Sequence, residues 1–351
     1  MKLSRWLAPF ATIALTFSLT GCGDKIQYSS LVSFGDSLSD VGTYKVGTVA
    51  ALGGGKYTVN ASTAKNWTEL VAAHYNLAAP CAAQTGLEGT GTGLNVAVTN
   101  HSNCFNYAQG GARVTNPVGP GNKYLGGDNA ILGQLTVPVV TQMQNHLNKL
   151  PQGKFAGTEL VTVMAGGNDV FINVATYSAT VSAAPSQATA AATAAVTAMA
   201  TAGAELAVYA KTKLKANGAK YIVVVNLPDV ASTPAFSSSP AKPLVTSMVA
   251  AFNSSLQAGL DGSGILLVDA FGLSQDLVAN KQNYGLTNVT SPACILDDPT
   301  KNPLASSLVC ISATALTGSE FYLFADTVHP TPYGNKVNAD FIAKKIDRMI
   351  W

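Results

Sequence analysis

Four short runs, "LVSF", "ELVTVM", "YIVVV" and "GILLV", are apolar almost from end to end and rich in β-branched residues, and each is followed by a stretch of helical character. A strand that buries both faces needs this pattern, whereas a strand with one wet face alternates apolar with polar. The runs therefore predict a parallel sheet covered by helices on both sides. Between them, "NWTELVAAHYNL" sets Trp67, Leu70, Val71 and His74 at helical spacing, and "ILGQLTVPVVTQMQNHLNKL" reads as a helix interrupted near Pro138. The Ala- and Thr-rich stretch from Ser186 to Lys215 predicts a long helix. Alanine favours it, Lys211, Lys213 and Lys215 complement the dipole at its end, and Gly218 stops it. A mucin-like stalk would need the proline that this run lacks. A last helix is capped by Thr331, has Pro332 at its first position and carries a stripe of Val337, Phe341, Ile342, Ile346 and Met349. No repeat or linker divides the chain, so residues 30–351 are expected to form one α/β domain.

The first residues belong to sorting rather than to that domain. Lys2 and Arg5 precede an uncharged apolar stretch from Trp6 to Leu19, too short to span a bilayer comfortably, and "LTGC" closes it at Cys22. Residues 1–21 read as a signal peptide and residues 22–29 as a tether. "LTGC" is similar to the lipobox of bacterial lipoproteins, which implies acylation of Cys22, a membrane anchor and an outer-membrane or cell-surface location. An ordinary cleaved signal and a secreted protein are the alternative. Without residues 1–21 the chain holds nineteen basic and nineteen acidic residues, and only 11% of the whole chain is charged. No basic patch recommends nucleic acid as a partner, and the chain is expected to act as a monomer.

Besides Cys22 there are Cys81, Cys104, Cys294 and Cys310, an even number in an exported chain. Local pairing, Cys81 with Cys104 and Cys294 with Cys310, is the economical choice among three connectivities. The first bridge would close a Gly-rich, strand-poor loop. Zinc is disfavoured because neither pair has the two-residue spacing of metal knuckles.

In a parallel sheet the working groups gather beyond the carboxyl ends of the strands. Ser37 stands there after "LVSF", Gly110 and Gly111 after "CFNYAQ", Asn168 after "VTVMAGG", and Asp326 with His329 after "FYLFA". An alcohol becomes a useful nucleophile only when a base takes its proton, and histidine is the usual base. Of the four histidines, His74 lies in a helical pattern, His101 in the Gly-rich loop and His146 on a face with Gln142 and Gln144 that reads as polar. His329 alone has an acid three residues before it, and Asp326 can fix its tautomer in a tight loop. Acyl transfer also requires donors for an oxyanion, for which the backbone N–H groups of Ser37 and Gly111 and the amide of Asn168 are candidates.

These blocks resemble those of the GDSL, or SGNH, hydrolases: "FGDSLSDVG", "NYAQGGA", "GGND" and "DTVHPT" follow in the family's order. "NWTEL", "VVNLPDVASTP" and "NKQNYGLTNVTSPAC" are similar to the lipolytic branch. The resemblance implies a flavodoxin-like three-layer α/β/α sandwich with a central parallel sheet. It implies Ser37 as nucleophile, His329 as base, Asp326 as its partner, and Ser37, Gly111 and Asn168 around the oxyanion, with Asp36 a structural acceptor. The expected activity is a serine esterase or lipase without cofactor or metal, acting on acyl esters or phospholipids. Lysophospholipase, acyltransferase and carbohydrate O-acetyl esterase are variants. A metal phosphoesterase built on Asp36, Asp40, Asn168 and His329, or a non-enzymatic surface lipoprotein, are the rivals. The loops at 81–104 and 294–310 are expected to wall the acyl group.

Overall fold

The structure, a computed structural model, describes residues 26–351. The signal segment and Cys22 lie outside the described residues. Along the chain run β1 (Leu31–Gly35), the short α1 (Gly47–Ala51), α2 (Trp67–His74), β2 (Gln84–Glu88), β3 (Asn95–Asn100), α3 (Gly127–Leu132), α4 (Val139–Leu147), β4 (Leu160–Met164), α5 (Gly167–Ala183) and α6 (Ala188–Tyr209). There follow β5 (Tyr221–Val225), α7 (Lys242–Leu260), β6 (Leu266–Val268), α8 (Ala270–Ala279), β7 (Asn288–Pro292), β8 (Tyr322–Phe324) and α9 (Pro332–Ile346).

The four apolar runs are the strands of one parallel sheet in the order β1-β4-β5-β6. Residues 105–109 extend it beyond β1, since Tyr107 N donates to Ser33 O at 2.8 Å and Gln109 N to Gly35 O at 3.2 Å. Counted that way, the second strand in sequence lies outside the first and the others follow in order, which is the flavodoxin arrangement. Successive side chains leave a strand on opposite faces. Val161 and Val163 of β4 therefore join Val32, Phe34, Ile222 and Val224 against α4, α5, α6 and α7. Leu160 and Met164 join Leu31, Val223 and Val225 against Trp67 and Val71 of α2 and Ala339, Ile342 and Ile346 of α9. This is the three-layer sandwich, and it explains why the runs show no polar alternation.

Several local expectations meet the structure directly. Thr331 Oγ1 accepts from Gly334 N at 3.0 Å, capping α9, and Gly218 adopts a left-handed φ of 97° after the long Ala-rich helix. Three do not. The loop closed by Cys81 and Cys104 is not strand-poor, because β2 and β3 pair antiparallel within it. Residues 131–150 are not one interrupted helix but the end of α3 and then α4, two helices separated by residues 133–138, where Gly133 turns left-handed and Gln134 N bonds to Gly121 O. His146 is not on a polar face: it is buried among Phe34, Phe105, Tyr107 and Phe155, with Nδ1 3.1 Å from Tyr107 Oη. Burial pushes its pKa down to about 4, so it is neutral at physiological pH. The adjacent Gln142 is buried as well, spending its amide on both backbone groups of Gly35. Glutamine at helical spacing misleads here because its partner is a strand end rather than water.

Candidate active site

β1 ends at Gly35, where a side chain could not fit: an added Cβ would lie 2.3 Å from Met164 O on β4. The chain then turns on Asp36, whose Oδ1 accepts from Leu38 N at 3.0 Å while its carbonyl accepts from Ser39 N at 3.0 Å. That turn lifts Ser37 between two satisfied neighbours. It is braced from outside, since Ser39 Oγ accepts from Trp67 Nε1 at 3.2 Å and Ser39 O accepts from Asn106 Nδ2 at 2.9 Å.

Almost three hundred residues later, β8 delivers the other half of the site. His329 Nε2 lies 2.7 Å from Ser37 Oγ, and His329 Nδ1 lies 2.7 Å from Asp326 Oδ2. Asp326 is placed by its own loop. Its Oδ1 accepts from Val328 N at 2.9 Å and His329 N at 2.8 Å, and its Oδ2 accepts from Ser307 N at 3.2 Å. An acceptor carboxylate beside Nδ1 keeps the proton there and turns the lone pair of Nε2 toward the serine hydroxyl. Burial would push the Asp326 carboxyl up, but the imidazole and the hydrogen bonds from His329 and Ser307 together hold it well below the usual carboxylate range. It stays a charged acceptor.

The two oxyanion candidates other than Ser37 sit on two linked segments. Of the paired glycines, Gly110 N is already spent on Asp40 Oδ2 at 3.0 Å, whereas Gly111 N has no partner among the described residues. Gly111 also needs to be glycine, with φ at 78° and an added Cβ 2.1 Å from Pro120 O. Asn168 lies in the first turn of α5 and lines the same cleft as Ser37 and His329. One of its amide hydrogens goes to Ala112 O at 2.8 Å, the residue after Gly111. Asp169 ties the same two segments: it accepts from Arg113 Nε at 2.8 Å and Val114 N at 3.0 Å.

Two buried acids flank the serine. Burial raises Asp36 to about 7, against the Leu38 N–H and the nearby His329, and raises Asp40 to about 6, against the N–H groups of Thr43, Gly42 and Gly110. Asp40 binds backbone on both oxygens, which removes it from the ligand set of a metal phosphoesterase. The structure thus gathers Ser37, Asp326, His329 and Asn168 at one place, with Gly111 a residue from the Asn168 contact. It forms the Cys81–Cys104 and Cys294–Cys310 bridges as paired locally.

Sequence reasoning passed over several supports. The Tyr57 ring lies 4.8 Å from the His329 ring, Thr58 Oγ1 donates to Pro330 O at 2.9 Å, and Ser307 donates to Asp326. Asp169, an acid inside a block already singled out, carried a signal, whereas Asp40 was read only as a metal ligand and not as the backbone acceptor it is. The cleft walls also differ from expectation: Phe171, Leu227, Pro228, Val230, Thr233 and Val328 line it, not the loops at 81–104 and 294–310. The latter loop instead stands behind Asp326.

An alcohol, an imidazole and a carboxylate in one hydrogen-bonded row, above the carboxyl ends of a doubly covered parallel sheet, define a Ser-His-Asp site of the kind that activates a serine. Residues 31–342 match the family of GDSL-like lipases and acylhydrolases, and the chain belongs to that family. Among curated proteins it is 31% identical over 128 residues to Esterase EstA of Pseudomonas aeruginosa, covering 35% of this chain and 19% of that protein. It is 30% identical over 95 residues to a GDSL esterase/lipase of Arabidopsis thaliana, covering 27% and 25% respectively. The matched segments span a quarter or less of those relatives' lengths. Among solved structures, phospholipase A1 of Streptomyces albidoflavus is 14% identical with a TM-score of 0.45, covering 92% of this chain and 100% of that one. A carbohydrate acetylesterase of Sinorhizobium meliloti is 13% identical with a TM-score of 0.41, over 92% of this chain and 100% of that one.

Proposed function

We propose that this protein hydrolyses carboxylic acyl esters through an acyl-serine intermediate. His329 Nε2 takes the proton of Ser37 as its oxygen attacks the ester carbonyl. The imidazolium that forms is stabilised by Asp326, and the tetrahedral oxyanion is held by the N–H groups of Ser37 and Gly111 and the amide of Asn168. The tetrahedral centre collapses as His329 returns the proton to the leaving alcohol. Water then repeats the sequence and frees the acid. The observation that carries this reading is the pair of 2.7 Å contacts on the two nitrogens of one imidazole. Membership of a family described as lipases and acylhydrolases supports the same chemistry. The apolar walls of the cleft favour an acyl ester over a highly charged substrate. A lipid anchor on Cys22 would keep one domain, residues 30–351, beside membrane esters, including phospholipids.

The test is Ser37→Ala against a panel of p-nitrophenyl esters and a lysophospholipid. Loss of a methylene-bound hydroxyl leaves the turn at Asp36 intact, so the variant should unfold at the wild-type temperature and lose kcat by at least about ten-thousand-fold. Turnover that survives the substitution removes Ser37 from the chemistry.

A further inference from the structure

Although the chain is close to neutral, the fold gathers its cations at the end of the sheet opposite Ser37. Residues 151–159, 211–220 and 261–265 lead into the amino ends of β4, β5 and β6, and residues 344–351 finish α9 beside them. These four short segments hold eight of the twenty-one lysines and arginines, against three acids, Glu159, Asp261 and Asp347. They form one surface: Lys154 Nζ donates to Ala216 O at 3.2 Å, Lys215 Nζ donates to Ser263 O, and the Trp351 ring lies 5.5 Å from that of Tyr221 at the start of β5. The acids do little to neutralise it. Glu159 is buried and accepts from the N–H groups of Ala156, Gly157 and Thr158, while Asp347 meets Tyr75 and His74. Among the described residues none of the eight basic side chains forms an ion pair. Lys154, Lys215, Lys220, Lys344, Lys345 and Arg348 are exposed, and in their midst Ile350 is 93% exposed. Unpaired cations around an exposed apolar tip match the boundary of an anionic membrane, where charge meets headgroups and the apolar group leaves water.

We propose that this basic end is a docking face for an anionic phospholipid surface, with Ile350 set into the headgroup layer and the mouth of the cleft at Ser37 clear of it on the opposite end. The inference goes beyond the esterase reading and does not depend on it. The chain enters at the same end. Tyr28 packs edge-on against Tyr75 and Tyr221, and the six residues back to Cys22 reach at most about 20 Å, so an anchor there would hold this face, and no other, to the membrane. A nucleic acid would satisfy the cations but leave Ile350 in water. A headgroup layer satisfies both. Docking of this kind is released by salt, which an acyl chain withstands, so it does not by itself retain the protein in a salt-washed membrane fraction.

The experiment uses the full chain with Cys22→Ser, which carries no acyl group, and measures co-sedimentation with vesicles of phosphatidylcholine alone or mixed with phosphatidylglycerol. Any contribution of residues 1–21 is common to every variant. Affinity for the mixed vesicles should be at least about tenfold higher, and should fall as salt is raised. Lys220→Glu, Lys344→Glu and Arg348→Glu together, all at exposed positions of this face, should abolish that preference. The same charge change at the other end of the sheet, Lys45→Glu, Lys65→Glu and Lys242→Glu, should leave it in place. Ile350→Ser should weaken binding to the mixed vesicles several-fold, and an unfolding temperature equal to the parent's shows that no loss is unfolding. Equal affinity for the two vesicle types, a preference that survives the reversal at the basic end or is lost equally in the reversal at the other end, or tighter binding to a DNA duplex than to the mixed vesicles overturns the inference. None of these outcomes bears on Ser37, whose own substitution tests the esterase reading.

Discussion

Among the described residues Thr85 and Tyr107 also meet an imidazole, and Ser37 differs from them in that its imidazole is held on the other nitrogen by a carboxylate; the acids around it show how narrowly charge is placed. Asp326 and Asp36 are both buried, yet their carboxyls move in opposite directions. Asp326 faces an imidazole and three N–H donors, and its depressed pKa makes it a stabilising charge above the ordinary carboxylate range; that contribution is lost as pH falls below about 4. Asp36 is governed by desolvation, with a folded pKa of about 7 against an ordinary 3.8. The stability tied to its neutral form is complete below about 4 and is lost as pH rises toward 7, a difference on the order of 4 kcal/mol. Urea unfolding of Asp36→Asn from pH 4 to 8 should therefore show a variant that gains on the wild type with rising pH. A gap that stays constant with pH would contradict this. At the same scale, the blocks in the sequence made Ser37, Asp326 and His329 legible, because their spacing is set by turns that local chemistry dictates. Tyr57 and the Ser307 N–H were illegible, since one acts as a ring face and the other as backbone, and neither use constrains a residue type that a reader would notice.

Among the elements, the central strands and the last helix were read from the sequence because burial on two faces and a Thr-Pro cap are local signals. The ribbon of β2 and β3 was not, since Gly-rich segments pair with little help from side-chain pattern. The polar reading of His146 failed for a related reason: helical spacing says which residues share a face, and not what covers that face. The loop from Cys294 to Cys310 has a structural task in place of the expected wall. Its bridge ends beside Ala325, whose carbonyl accepts from Cys294 N at 2.8 Å, and the same loop brings Ser307 N to Asp326. Replacing both cysteines by serine should cost about 3 kcal/mol in chemical unfolding, the chain-entropy value for a loop of this length. It should also lower kcat more than KM, as Asp326 loses a donor and its fixed position. Full kcat in the doubly substituted protein would show that the bridge serves stability alone.

For the molecule as a whole, the site exists only because the front of the chain and its far end meet above one sheet, and the Asp40 bonds to Gly110 and the Asp169 bonds to Arg113 and Val114 bind the middle segments to them. Where the molecule resides is a separate proposal, that an acylated Cys22 anchors it to a membrane. Expressed in a bacterial host, the wild type should fractionate with membranes and Cys22→Ser should not; equal partitioning of the two would contradict anchoring there. The central claim, that Ser37 is the group made nucleophilic by His329, is tested most directly by treating the folded protein with a p-nitrophenyl alkylphosphonate and locating the adduct by peptide mass spectrometry. The account predicts a single adduct on Ser37 in the wild type and at least about a hundredfold slower labelling in His329→Ala. An adduct on another residue, or labelling of Ser37 at the same rate without the imidazole, would contradict it.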